Sequence, residues 1–95
     1  MEQEICGLCR RPLGRRREKH HWVPRSYGGL ETAPLHPICH SKIHSVLTER
    51  ELAQSYYSAE ALRGHPEIES FLRWLASKPP DFHKPTRSAR NRRRR

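Results

Sequence analysis

Ninety-five residues with a formal net charge of +9 and a mean hydropathy of −0.99 leave room for one small domain, and no stretch has the length and apolarity of a membrane span. The charge is unevenly held. Residues 1–77 carry 11 basic and 9 acidic side chains, whereas residues 78–95 (KPPDFHKPTRSARNRRRR) carry 8 basic and 1 acidic. That last segment has almost no apolar residues with which to offset its ordering entropy, so it is predicted as a disordered basic tail on a body of residues 1–77. A near-neutral body with a cationic arm points to a polyanionic partner, most often nucleic acid. A body this small needs a staple. The 3 cysteines cannot all pair with one another, and Met1 to Glu4 are followed by no apolar run of a secretory signal. A cytoplasmic location, reduced cysteines and a metal staple are therefore expected.

In chain order, Cys6-Gly7-Leu8-Cys9 comes first, and Pro12 and Gly14 break the chain almost at once. A redox C-x-x-C opens a helix, so this one reads as half of a zinc knuckle. His36-Pro37-Ile38-Cys39 supplies the other half. Cys6, Cys9, His36 and Cys39 are assigned to a structural tetrahedral zinc site. A rival set joins the three cysteines to His40 or His44 and leaves no second metal. Arg15, Arg16, Arg17 and Lys19 form a basic run suited to a nucleic-acid backbone. His20–Val23 reads as a strand ended by Pro24, and the two glycines after Tyr27 suit positive φ angles. The chain returns through residues 30–35 as an irregular or edge strand, because Pro34 cannot donate to a ladder.

A helix is predicted from about Pro37, with Ile43 and Leu47 towards the core. Thr48-Glu49-Arg50-Glu51 fits a capping box and starts a second helix, with Leu52, Ala53, Tyr56 and Tyr57 as its apolar stripe. Ser58 caps a short turn of helix through residues 59–63, ended by Gly64. Pro66 opens a last helix with Ile68, Phe71, Leu72 and Leu75 on one side and Trp74 off that stripe, covering the hairpin. The fold class expected is α+β: a small hairpin-helix with a knuckle, then a short helical part.

The chemistry rests on four histidines. His40 and His44, four apart on a helix, share a face and can grip one ion. His20 and His21 are neighbours on a strand, so one can join that ion while the other stays free as a base. Such a division of labour suits phosphodiester hydrolysis.

The order C-x-x-C, HHWVPRSYGG, LHPICHSKIH resembles the HNH endonucleases, the ββα-metal nucleases, in their zinc-knuckle form; the match runs from Cys6 to His44. Beyond it, the helices resemble small bacterial and phage HNH proteins less specifically. The resemblance implies His21 as general base and His20, His40 and His44 as ligands of one catalytic divalent ion, Mg2+, Mn2+, Ni2+ or Zn2+. It implies a knuckle of four cysteines, the third replaced here by His36, which zinc accepts. The asparagine that orients the base falls at Glu31, beside Thr32, so either side chain is expected to fix the His21 loop.

The function expected is a metal-dependent DNA endonuclease, monomeric or weakly dimeric. Arg15, Arg16, Arg17, Arg25 and the terminal Arg92, Arg93, Arg94 and Arg95 are its expected DNA contacts. Two further readings stand beside it. One is a zinc-stapled module that grips nucleic acid without cutting it, which Glu31 favours. The other is an RNA-binding protein with residues 87–95 as an arginine-rich arm.

Overall fold

The computed structural model describes residues 4–79. The predicted tail lies outside the described residues from position 80 on, and Arg92, Arg93, Arg94 and Arg95 lie there with it. The fold is α+β: a two-stranded antiparallel sheet and four α-helices among the described residues. None of these helices is long and apolar enough to cross a membrane.

The chain begins with a tight reversal. Ile5 pairs with Pro12 across it, Arg10 N–H donates to the Cys6 carbonyl at 3.0 Å, and Cys6 N–H to the Arg11 carbonyl at 2.9 Å. Arg10 takes the left-handed conformation, φ 66°, needed to close so short a loop. Strand β1 (Glu18–His21) then pairs with β2 (Thr32–Leu35), with His20 opposite Ala33 and His21 opposite Thr32. β1 therefore starts and ends two residues earlier than the sequence predicts. Trp22 still donates to the Glu31 carbonyl at 3.2 Å, but Pro24 and a 3-10 turn over Arg25–Tyr27 draw the strands apart. Of the two glycines after Tyr27, Gly28 alone uses a positive φ, 86°. Gly29 is required for a different reason, since a Cβ there would overlap the Val23 carbonyl.

Pro34 sits inside β2 because each strand of a two-stranded sheet is an edge. Its carbonyl accepts the Gly7 N–H at 2.9 Å, docking the knuckle on that edge. A Cβ at Gly7 would sit 3.1 Å from the Ala33 Cβ and 3.2 Å from Leu35 Cδ2, so glycine lets the C-x-x-C loop approach the sheet without displacing either.

Helix α1 (Pro37–Val46) starts at a proline that supplies the fixed φ of a first turn and lacks a donor the turn would leave unused. Helix α2 (Glu49–Gln54) carries both halves of the capping box: Glu51 N–H donates to Thr48 Oγ1 at 3.1 Å, and Thr48 N–H to Glu51 Oε1 at 2.9 Å. Helix α3 (Ala59–Arg63) is capped by Ser58, and α4 (Pro66–Leu75) by the His65 ring, which accepts from Glu67 N–H at 3.1 Å.

One core joins all of these. Leu8 of the knuckle, Leu35 of β2, Ile38 and Ile43 of α1, Leu52, Leu62, Ile68 and Leu75 are buried together. Two aromatic expectations fail. Tyr57 is 54% exposed, because α2 ends at Gln54 before its stripe can carry that far. Trp74 is 42% exposed and lies against Phe71 beside Lys42, on the face between α1 and α4 rather than on the hairpin.

Two arginines tie the knuckle to the helices. Arg63 donates from Nε to the Leu8 carbonyl at 2.9 Å and from Nη2 to the Gly7 carbonyl at 3.1 Å. Arg11 donates to the Leu75 carbonyl at 2.6 Å and to that of Lys78, capping the C-terminus of α4 with a cation. Lys78 is thus held against the body, one residue past the predicted boundary.

Candidate metal centres

The knuckle hairpin presents Cys6 and Cys9, and the entry to α1 presents His36 and Cys39. Their ligand atoms all lie within 4.8 Å of one another. Two ligands of a tetrahedral zinc ion bonded at about 2.0–2.3 Å sit about 3.3–3.8 Å apart. Cys9 Sγ and His36 Nδ1 are 3.3 Å apart. The His36 ring is fixed in the tautomer such an ion needs. Its Nε2 is 2.9 Å from the Pro12 carbonyl, which can only accept, so Nε2 carries the proton and Nδ1 keeps its lone pair towards the thiols. His36 N–H donates to Cys6 Sγ at 3.4 Å, a bond that favours thiolate. Hydrogen bonds from Cys39 and then Cys9 hold the Cys6 thiol well below the usual range, against the opposing effect of burial. The same contacts, Cys6 first, push Cys39 up. Three thiols packed so closely share protons that a cation displaces. The four residues can hold a metal such as zinc.

The second group gathers His20 from β1 with His40 and His44 from α1, again with ligand atoms within 4.8 Å of one another. The rings meet edge to face, with centroids 5.3 Å apart for His20 and His40, 5.7 Å for His20 and His44 and 4.8 Å for His40 and His44. Four-residue spacing puts the helical pair on one face, and β1 crosses that face. The rival set, with His40 or His44 completing the cysteine site, is not assembled, because both side with His20. Beside Trp22, at 5.2 Å, His20 is 1% exposed, and neither of its ring nitrogens has a hydrogen-bond partner. Such an orphaned pair is costly unless something else occupies the lone pair. Burial first, then His40, His44 and His21, lower its pKa to about 4. His44 is lowered too, by burial and then by His40. Both imidazoles are therefore neutral at pH 7, the form that binds metal.

His21 is half-buried and lines the same hollow, about 210 Å³, with Lys19, His20, Pro24, Arg25, His40, His44 and Glu49. Glu31 is not among these residues. Its carbonyl serves the hairpin, while its exposed side chain lines a separate hollow with Trp22, Val23, Gly28, Gly29, Leu30 and Tyr57. Among the described residues its carboxylate has no hydrogen bond or ion pair, with His21 or any other group. The Glu31 side chain therefore makes no bond to His21 here; its backbone pairs with Trp22, one residue off the His21 register, and Thr32 is the residue opposite His21.

The carboxylates at the histidines are ones the sequence reading passed over. Glu18 Oε1 is 2.8 Å from His40 Nδ1. A carboxylate only accepts, so Nδ1 donates and Nε2 is left to offer a lone pair. Glu49 lines the hollow and accepts from Ser26 Oγ at 2.6 Å. Among the basic candidates, Arg25 reaches the hollow, Arg15 and Arg16 are exposed, and Arg17 is paired with Glu4 and with the Gly14 carbonyl at 2.8 Å.

The fold and these clusters define a small α+β protein built around two candidate metal centres. The chain is 39% identical over 79 residues to an uncharacterized protein, YisB, of Bacillus subtilis (strain 168), a span covering 81% of this chain and 78% of the relative. It belongs to the same family as YisB. No family model matches the chain, and no solved structure does.

Proposed function

We propose that this chain is a metal-dependent endonuclease of the HNH type that hydrolyses DNA phosphodiester bonds. The observation that carries the proposal is His20: a buried imidazole with both nitrogens unpartnered, ringed by His40 and His44, in one hollow with the more open His21. His20, His40 and His44 would hold a divalent ion, and Cys6, Cys9, His36 and Cys39 a structural zinc. Bound there, a divalent cation would polarise the phosphoryl oxygens and stabilise charge on the leaving oxygen. His21 takes the proton from the attacking water. Arg25, which lines the hollow, would meet the phosphate, and Glu18 keeps the His40 ring turned so that Nε2 serves the site.

The test is conversion of supercoiled plasmid by the zinc-loaded protein with magnesium, manganese, nickel or EDTA, beside His21→Ala. Nicking that needs the added ion and falls at least about 100-fold in the variant is expected, the usual size of a general-base contribution. Unchanged cleavage by His21→Ala would remove His21 as the base. The exposed Glu31 carboxylate, which makes no hydrogen bond to His21, favours a second reading, a module that binds nucleic acid without cutting it. Salt-sensitive DNA binding with no cleavage under any ion would select that reading.

A further inference from the structure

Three imidazoles bring no charge to a divalent cation, and the hollow they share also contains Lys19 and Arg25. An ion there would be held by neutral ligands beside two positive side chains, with the Glu18 carboxylate acting on it only through the His40 ring. Glu49 is the one acidic residue lining that hollow. It is the first residue of α2, three positions after α1 ends, and it lines the hollow with His44, near enough for its charge to act on that imidazole. Ser26, in the 3-10 turn that follows β1, donates to Glu49 Oε1 at 2.6 Å and ties the carboxylate to that turn. That hydroxyl occupies one oxygen, and the other is free of any hydrogen bond among the described residues. The capping of α2 does not use Glu49; Thr48 and Glu51 perform it.

Building on the ion site proposed above, we propose that Glu49, which lines the hollow outside the close-set ring of histidine ligand atoms, is the anionic group that reaches the ion and sets which metal the site accepts. Imidazoles alone favour zinc, nickel and copper, whereas a carboxylate oxygen suits manganese and magnesium. Added to His20, His40 and His44, it offsets the cation's charge beside Lys19 and Arg25 and shifts the site towards the oxygen-preferring ions. Ser26 is a positioning residue for it.

The experiment reads binding rather than cleavage. Full-length protein carrying one equivalent of zinc is titrated with Mn2+, followed by electron paramagnetic resonance, and with Ni2+, followed by calorimetry. Wild type is compared with Glu49→Gln and Ser26→Ala, each first checked for an unchanged melting transition. Glu49→Gln is expected to weaken Mn2+ by about 10-fold or more, the range seen when groups around a metal are removed, and Ni2+ by much less. Ser26→Ala should shift Mn2+ in the same direction by a smaller factor. Equal losses for the two ions, or Mn2+ affinity unchanged in Glu49→Gln while wild type binds, would overturn the role of Glu49 and leave the histidine site standing. Wild type that takes up neither ion beyond its zinc would overturn the histidine site itself, and this inference with it.

Discussion

A histidine whose two ring nitrogens are both sealed from water and unpartnered is uncommon, since an unmet polar group inside a protein costs about 1–3 kcal/mol. His20 carries that cost in the metal-free chain. Its removal should therefore separate stability from ion binding. His20→Leu, in protein holding only the knuckle zinc, is expected to be as stable as wild type or more stable by up to about 2 kcal/mol, because an apolar side chain replaces two orphaned nitrogens. The same variant should lose the second ion. A loss of several kcal/mol in a denaturant melt would instead make His20 a packing residue. The pH dependence has a definite sign. With its pKa lowered to about 4 from an ordinary 6.5, His20 in the folded chain refuses a proton that the unfolded chain accepts. Its contribution is thus fully present above pH 6.5 and is lost as pH falls towards 4, about 3 kcal/mol in all. Wild type should lose that much more stability than His20→Leu between pH 7 and pH 4, while both lose zinc alike from the knuckle.

At the scale of elements, the knuckle holds the body together through two kinds of bond, one visible in the sequence and one not. Cys6, Cys9, His36 and Cys39 stand at short spacings that any chain direction preserves, so their meeting is legible. So are the starts of α1 and α4 at Pro37 and Pro66 and the cap of α2 by Thr48 and Glu51, because each is decided within four residues. Arg63 and Arg11 are decided by partners 55 and 64 residues away, and nothing local marks them. Glu18 was hidden in the same way, since nothing local marks it until β1 brings it to His40, 22 residues along the chain. Glu31 shows the opposite case: its place in the motif suggested a side-chain role, and its exposed carboxylate makes no hydrogen bond to His21. Arg63→Ala tests the long-range ties. It leaves the carbonyls of Gly7 and Leu8 without their donor, so stability should fall by about 1–3 kcal/mol in urea. Zinc should also leave faster to a chelator, since the loop bearing Cys6 and Cys9 loses its anchor to α3. Unaltered urea and chelator profiles would show the knuckle to be self-sufficient.

For the whole molecule, the informative quantity is where charge sits. Most of the +9 lies beyond residue 77, whereas the histidine hollow is lined by just two cations among the described residues, Arg25 and Lys19. Affinity and chemistry should therefore be separable by cutting the chain. Ending it after Pro79 retains Lys78, whose carbonyl Arg11 holds, and so leaves α4 capped. The cut removes Lys84, Arg87, Arg90, Arg92, Arg93, Arg94 and Arg95 along with Asp81. Each phosphate contact contributes about 0.9 to the slope of log affinity against log salt. Duplex binding by the full chain should thus fall steeply between about 50 and 200 mM salt, and the shortened chain should lose up to about 6 from that slope, seven contacts at most. Plasmid nicking at low salt should persist, because no group of either metal centre has been touched. An unchanged slope would move the DNA contacts to the body, leaving Arg15, Arg16 and Arg25 to account for them. Loss of nicking at every salt concentration would mean instead that residues 80–95 contribute to the chemistry.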